Sequence, residues 1–181
     1  HVIYLKSYSK IIFPGLRVGV AIIPLVIANA FHTYKKVLDI DSPMISQAAL
    51  EIYIKSGMFD HHKSKINSSY YNRSKKLAET LEKVQNENPS LFTYNRQNTL
   101  VIHTCLELQK NIVTETFIKK LRENKVSIDS VDRNYLNKFH KEKLLKLNVS
   151  NVKEARIEEG IRKVIEEIKL LRRLDFQFKK E

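Results

Sequence analysis

The sequence is poor in cysteine: Cys105 is its single thiol. That excludes an internal disulfide framework, and a reducing, cytoplasmic setting is expected. No apolar run approaches the ~20 residues that a membrane-crossing helix needs, and no secretory leader is visible, so no membrane partner is expected. Zinc-finger spacing, an RNA-binding aromatic motif and a convincing helix-turn-helix pattern are all missing. His61 and His62 are adjacent and so cannot share a helical face, which excludes the pair as a ready metal site. Asn67, Asn72 and Asn148 each open an Asn-x-Ser match to the glycosylation pattern, which carries no weight without a leader. What is plentiful is positive charge, 32 basic against 20 acidic residues and a net +12. Such a surplus suits a polyanionic partner or a basic solvated surface spread over several helices. The basic residues are scattered, so composition leans to the second reading. With 181 residues, 43% of them hydrophobic, the chain can hold one medium domain or parts of two.

The most informative stretch is Ser7-Tyr8-Ser9-Lys10-Ile11-Ile12-Phe13-Pro14-Gly15-Leu16-Arg17-Val18-Gly19. It lies between two apolar runs, Val2 to Leu5 and Val18 to Ile23, which read as buried strands. A lysine between buried strands costs several kcal/mol unless it is paired, which makes it a poor structural choice. Chemically it is a good one, because burial lowers the amine's pKa and frees it to attack a carbonyl. Arg17 keeps its charge and can grip a phosphate with two prongs. The same residues also allow a plainer reading, a lysine on an exposed strand-turn-strand hairpin.

Ser7-x-Ser9-Lys10 followed by Pro14-Gly15-x-Arg17 resembles the cofactor-lysine segment of the fold-type I pyridoxal-phosphate enzymes, the aspartate aminotransferase superfamily. The resemblance implies that Lys10 carries pyridoxal 5′-phosphate as a Schiff base. It further implies that Ser7 and Arg17 bind the cofactor's phosphate, with Ser9 close by. It continues through Ser42-Pro43, Gln47-Ala48-Ala49-Leu50 and Ser56-Gly57, which are common punctuation in that superfamily.

Hydrophobic periodicity predicts a helix over 25–38, buried through Val26, Ile27, Ala30, Phe31, Tyr34, Val37 and Leu38. A second helix is expected over 43–55, capped by Ser42 and ended by Gly57, with Ile45, Ala48, Ala49, Ile52 and Tyr53 inward. A long helix from Met58 to about Gln85 follows, with a narrow stripe of Ile66, Tyr70, Arg73, Leu77, Leu81 and Val84. After the loop at 86–90, strands are expected at 91–94, 99–104, 126–128 and 144–150, and helices at 112–121 and 153–173. Such alternation suggests an α/β, two-layer small domain. By resemblance, 1–57 is the end of the large cofactor-binding domain, 58–88 a long linking helix and 89–181 the small C-terminal domain.

Two departures from the superfamily pattern stand out. Arg96-Gln97-Asn98-Thr99 occupies a place that relatives often fill with proline and glycine. In Leu144-Leu145-Lys146-Leu147-Asn148-Val149-Ser150, Lys146 falls where most relatives carry the arginine that holds a substrate's carboxylate; Arg96 is an alternative ligand. The chain opens on His1, with a buried-type strand at once. An upstream part is therefore expected, holding the acidic partner of the pyridine nitrogen, the ring-stacking residue and most of the phosphate loop, so that the fragment alone is expected to be inactive. Two functions fit the resemblance. One is a transcriptional regulator of the GntR family, MocR type, sensing an amino acid or amine as a homodimer and reading DNA through an upstream domain. The other is a working aromatic or 2-aminoadipate aminotransferase. Lys146 and the basic charge favour the regulator.

Overall fold

In the computed structural model the described residues are 2–8, 12, 14–39, 43–97 and 102–178. They form two compact units, residues 1–68 and 69–181, and the division falls inside a long helix.

The first unit opens with an antiparallel hairpin of β1 (Tyr4–Ser7) and β2 (Gly19–Ile22), paired from Tyr4–Ile22 to Ser7–Gly19. Gly19 suits this close approach, since a Cβ would lie 3.0 Å from the Lys6 carbonyl oxygen, tighter than an ordinary contact. Two helices follow, α1 (Leu25–Leu38) and α2 (Met44–Lys55). Pro24 stands immediately before α1 and Pro43 before α2, so α2 begins one residue later than expected. Ser42, the expected cap, lies outside the described residues. Gly57, at φ 75°, ends α2 in the left-handed conformation that glycine adopts without strain.

The expected burial of this unit is not found. Val2 and Leu5 are 82% and 73% exposed, and α1 buries none of its residues. On α2, Ile45 and Ile52 are exposed and Leu50 is the buried residue. Periodicity correctly located these helices, but it reports amphipathicity only. Burial needs a second surface, and the described residues of this unit supply little of one.

The second unit contains the C-terminal half of α3 (Met58–Glu87) and an antiparallel sheet in the order β3-β4-β6-β5. The strands are β3 (Phe92–Thr93), β4 (His103–Leu108), β5 (Asp129–Ser130) and β6 (Leu144–Asn148). The helices α4 (Thr114–Glu123) and α5 (Ile157–Phe178) complete it. Alternation along the strands sends Thr104, Leu106, Leu108, Leu145 and Leu147 to one face. There the apolar ones join Leu77 and Leu81 of α3, Phe117 and Leu121 of α4, and Ile161, Val164 and Ile168 of α5 in one core. The result is the two-layer α/β arrangement, with the α3 and α5 stripes as the sequence placed them. β4 is described over His103–Leu108 and runs four residues past the expected end at Thr104, because the inward alternation is carried on by Leu106 and Leu108; of the expected span, residues 99–101 lie outside the described set. The ladder expected at 126–128 forms at Asp129–Ser130 instead, leaving Ile128 as a buried plug.

Ile168 is fully buried. Ile168→Val removes one methylene from a close-packed site and is expected to cost about 0.5–1.5 kcal/mol. Urea denaturation would show the midpoint falling with an unchanged slope.

Candidate functional site

Ser7 ends β1, and the Tyr8 amide donates to the Val18 carbonyl at 3.2 Å, closing the loop between the two strands. The Ile12 amide donates back to the Tyr8 carbonyl at 3.0 Å. After a 3-10 turn over Pro14–Leu16, Arg17 sits in the left-handed region at φ 51°. A non-glycine residue there is uncommon and costs of order 1 kcal/mol or more, a cost that recurs at functional sites. Ser7 and Arg17 are thus brought to the same end of the hairpin. Arg17 is exposed and makes no ion pair among the described residues. A hydroxyl and a guanidinium on one loop are a donor set suited to phosphate. Ser9 and Lys10 lie outside the described residues.

The aromatic residue between the two serines is anchored. Tyr8 meets Phe59 edge-on at 5.8 Å, Phe59 meets Tyr53 at 6.4 Å, and the Tyr53 hydroxyl is 2.6 Å from His62 Nδ1. Edge-to-face aromatic pairs add roughly 0.5–1.5 kcal/mol beyond area burial. His62, excluded above from a metal pair with His61, has a structural partner instead. Its hydrogen bond to Tyr53 crosses the Gly57 turn, and no periodic signal marks such a pair. Among the described residues no cluster of His, Cys, Asp or Glu could hold a metal.

Lys146 belongs to the second unit. It stands in β6 on the sheet face opposite the core, paired in register with Cys105 of β4 and Asp129 of β5. Just beyond the strand, Arg73 of α3 donates to the Ser150 carbonyl at 2.5 Å, fixing the segment that follows Lys146. Arg96, the alternative carboxylate ligand, is committed to Glu82 at 2.8 Å. Burial pushes the Cys105 thiol up, and the Lys146 charge beside it partly offsets the rise. Lys146→Met removes that offset. The thiol is then expected to rise further, expose less thiolate at a given pH and react several-fold more slowly with iodoacetamide. Lys153→Met, in a different part of the unit, should leave the rate unchanged.

No protein-family model matches the chain. It is 46% identical over 162 residues to an uncharacterised helix-turn-helix-type transcriptional regulator, YcxD, of Bacillus subtilis, a match covering 90% of this chain and 36% of that protein. It is 31% identical over 74 residues to the probable rhizopine catabolism regulatory protein MocR of Rhizobium meliloti, covering 41% and 15% of the two chains. Among solved structures, it superposes with a TM-score of 0.79 and 25% identity on the α-aminoadipate aminotransferase LysN of Thermus thermophilus, complexed with N-(5′-phosphopyridoxyl)-L-leucine. That match covers 96% of this chain and 43% of the other. The chain therefore spans about a third to two fifths of the length of such relatives.

Proposed function

We propose that this chain, whose homologues are helix-turn-helix-type transcriptional regulators and aminotransferases and whose fold is that of the fold-type I pyridoxal-phosphate aminotransferases, is the cofactor-binding, effector-sensing portion of a MocR-type regulator. The observation that carries this reading is the 46% identity to a regulator along 90% of the chain, well above the 25% identity to the aminotransferase. The working aminotransferase is the second reading, favoured by the shared fold.

In this reading Lys10 is the amine that holds pyridoxal 5′-phosphate. When bound, that cofactor supplies an electron-withdrawing ring that labilises bonds at an amino acid's α-carbon. Arg17 and the Ser7 hydroxyl receive its phosphate, with Ser9 beside them, and the donor set at the hairpin end fits such a group. Tyr8, packed on Phe59 and hydrogen-bonded to Val18, anchors the residue next to Ser7, so that less of the grip is lost to ordering Ser7 on binding. Lys146 attracts the carboxylate of an amino acid effector. The remaining elements of the reading are residues 1–57 as the end of the large domain, 58–88 as the linking helix and 89–181 as the small domain. DNA is read by another domain, and the regulator works as a homodimer in the cytoplasm.

The test is effector binding in the intact protein. Amino acids are expected to perturb the visible absorbance of the cofactor-loaded protein and to change its affinity for its operator, with little net amino-group transfer. Steady turnover with a 2-oxo acid, and operator affinity indifferent to amino acids, would leave the aminotransferase. An exchange of this kind fits linkage, in which a ligand shifts an equilibrium only by its differential affinity for the two states.

A further inference from the structure

The chain's surplus positive charge is not evenly arranged on the second unit. Beside the turn that ends α4 and the first half of α5 lies a cleft of about 390 Å³. Lys125, Lys153, Arg156 and Lys163 line it, against a single carboxylate, Glu159. That carboxylate is shared, with Arg156 Nε at 3.6 Å and Lys163 Nζ at 3.2 Å. Lys125 and Lys153 make no ion pair among the described residues. We propose that this cleft is a second anion site, separate from the Ser7–Arg17 loop, and that it takes the phosphomonoester of a small ligand about the size of a mononucleotide.

Three further observations support it. Four cations around one acid leave a charge of +3, which matches a dianion better than a neutral ligand. Lys125 occupies the left-handed position that ends α4 (φ 63°), where glycine is the usual choice, so a charged side chain is kept at some conformational cost. Gly160 lies inside α5, where glycine costs about 1 kcal/mol relative to alanine. A Cβ there would meet nothing within 4 Å, so packing does not demand glycine. Its bare backbone forms part of the cleft wall and allows close approach of a ligand. Ser127 and Asn151, also on the wall, offer partners for sugar hydroxyls. The concave shape separates this site from a surface for duplex DNA, whose phosphates follow a convex rod and call for a row of cations. The volume falls within the ordinary range for small-molecule sites. The site lies in the second unit and requires no bound cofactor, so its failure would leave the cofactor reading untouched.

The experiment is an amide-correlation NMR titration of the intact protein, labelled selectively at glycine, using adenosine 5′-monophosphate, adenosine, inorganic phosphate and a random-sequence duplex. The Gly160 amide is the reporter, assigned by its loss in Gly160→Ala, which the open space at that position accommodates. Adenosine 5′-monophosphate is expected to shift Gly160 saturably and more tightly than inorganic phosphate, with adenosine inert and Gly19 and Gly57 unmoved. Lys125→Gln/Lys153→Gln should weaken binding at least tenfold, and Glu159→Gln should tighten it several-fold by releasing Arg156 and Lys163. Lys110→Gln/Lys141→Gln, which removes the same charge elsewhere, should change it less than twofold. Equal losses in the two double variants, an unmoved Gly160, or tighter binding of the duplex with shifts spread over the basic surface would each overturn the proposal.

Discussion

Single-turnover mixing of the cofactor-loaded intact protein with an amino acid is expected to show rapid binding followed by slow amino-group transfer, and Lys146→Arg is expected to speed the second step. The expectation follows from the side chain. With pyridoxal phosphate bound, transfer would depend on the angle at which the residue holding the carboxylate presents the amino acid's α-carbon. An arginine fork sets that angle by holding both carboxylate oxygens, whereas a lysine is a point charge on a flexible stem. Small misplacements of this kind cost about a hundredfold in rate, and that is the gain expected from the substitution. Lys146 is half-buried between Cys105 and Asp129, and Arg73 anchors the backbone just beyond it. An arginine at 146 would therefore start from a strand that is already fixed. Fast transfer in the wild type, unchanged by Lys146→Arg, would favour the enzyme.

Arg17→Ala is expected to weaken pyridoxal-phosphate affinity by roughly ten- to a hundredfold, because a charge-assisted hydrogen bond contributes ~1.5–3 kcal/mol. Ser7→Ala should cost less, since a neutral hydroxyl contributes nearer ~1 kcal/mol. The left-handed backbone at Arg17 adds a second, opposing effect. Arg17→Gly relieves the local strain while losing the charge, so it should equal or exceed Arg17→Ala in thermal stability and match it in lost affinity. Equilibrium titration monitored by absorbance separates the two. Equal cofactor affinity in wild type and Arg17→Ala would place the phosphate elsewhere.

The parts of this molecule that the sequence made legible are those governed by local rules. The stripes of α3 and α5 recur at three- and four-residue intervals and were readable without any knowledge of their partners. The Pro24, Pro43 and Gly57 boundaries follow from backbone chemistry alone. Burial in the first unit was not readable, because an amphipathic α1 looks the same whether its apolar face is covered or, as here, exposed. The end of β4 was placed four residues early, at Thr104, because the weaker alternation of Thr104, Leu106 and Leu108 gave less signal than the apolar run of Leu100, Val101 and Ile102. At the candidate site, the spacing from Lys10 to Arg17 was legible as a motif, while the left-handed Arg17 and the Tyr8–Phe59 contact were not. Both depend on how the chain folds back on itself. The basic cleft is the extreme case. Its cations come from the turn after α4, the segment before α5 and α5 itself, and in the sequence they pass for scattered charge.

The most direct measurement is chemical. The intact protein would be loaded with pyridoxal 5′-phosphate, reduced with borohydride, digested and mapped by mass spectrometry. The expected result is a single labelled residue, Lys10, with loss of both the label and the visible absorbance band in Lys10→Ala. A label on Lys35 or Lys55, or undiminished labelling of Lys10→Ala, would contradict the cofactor-lysine assignment on which the account rests.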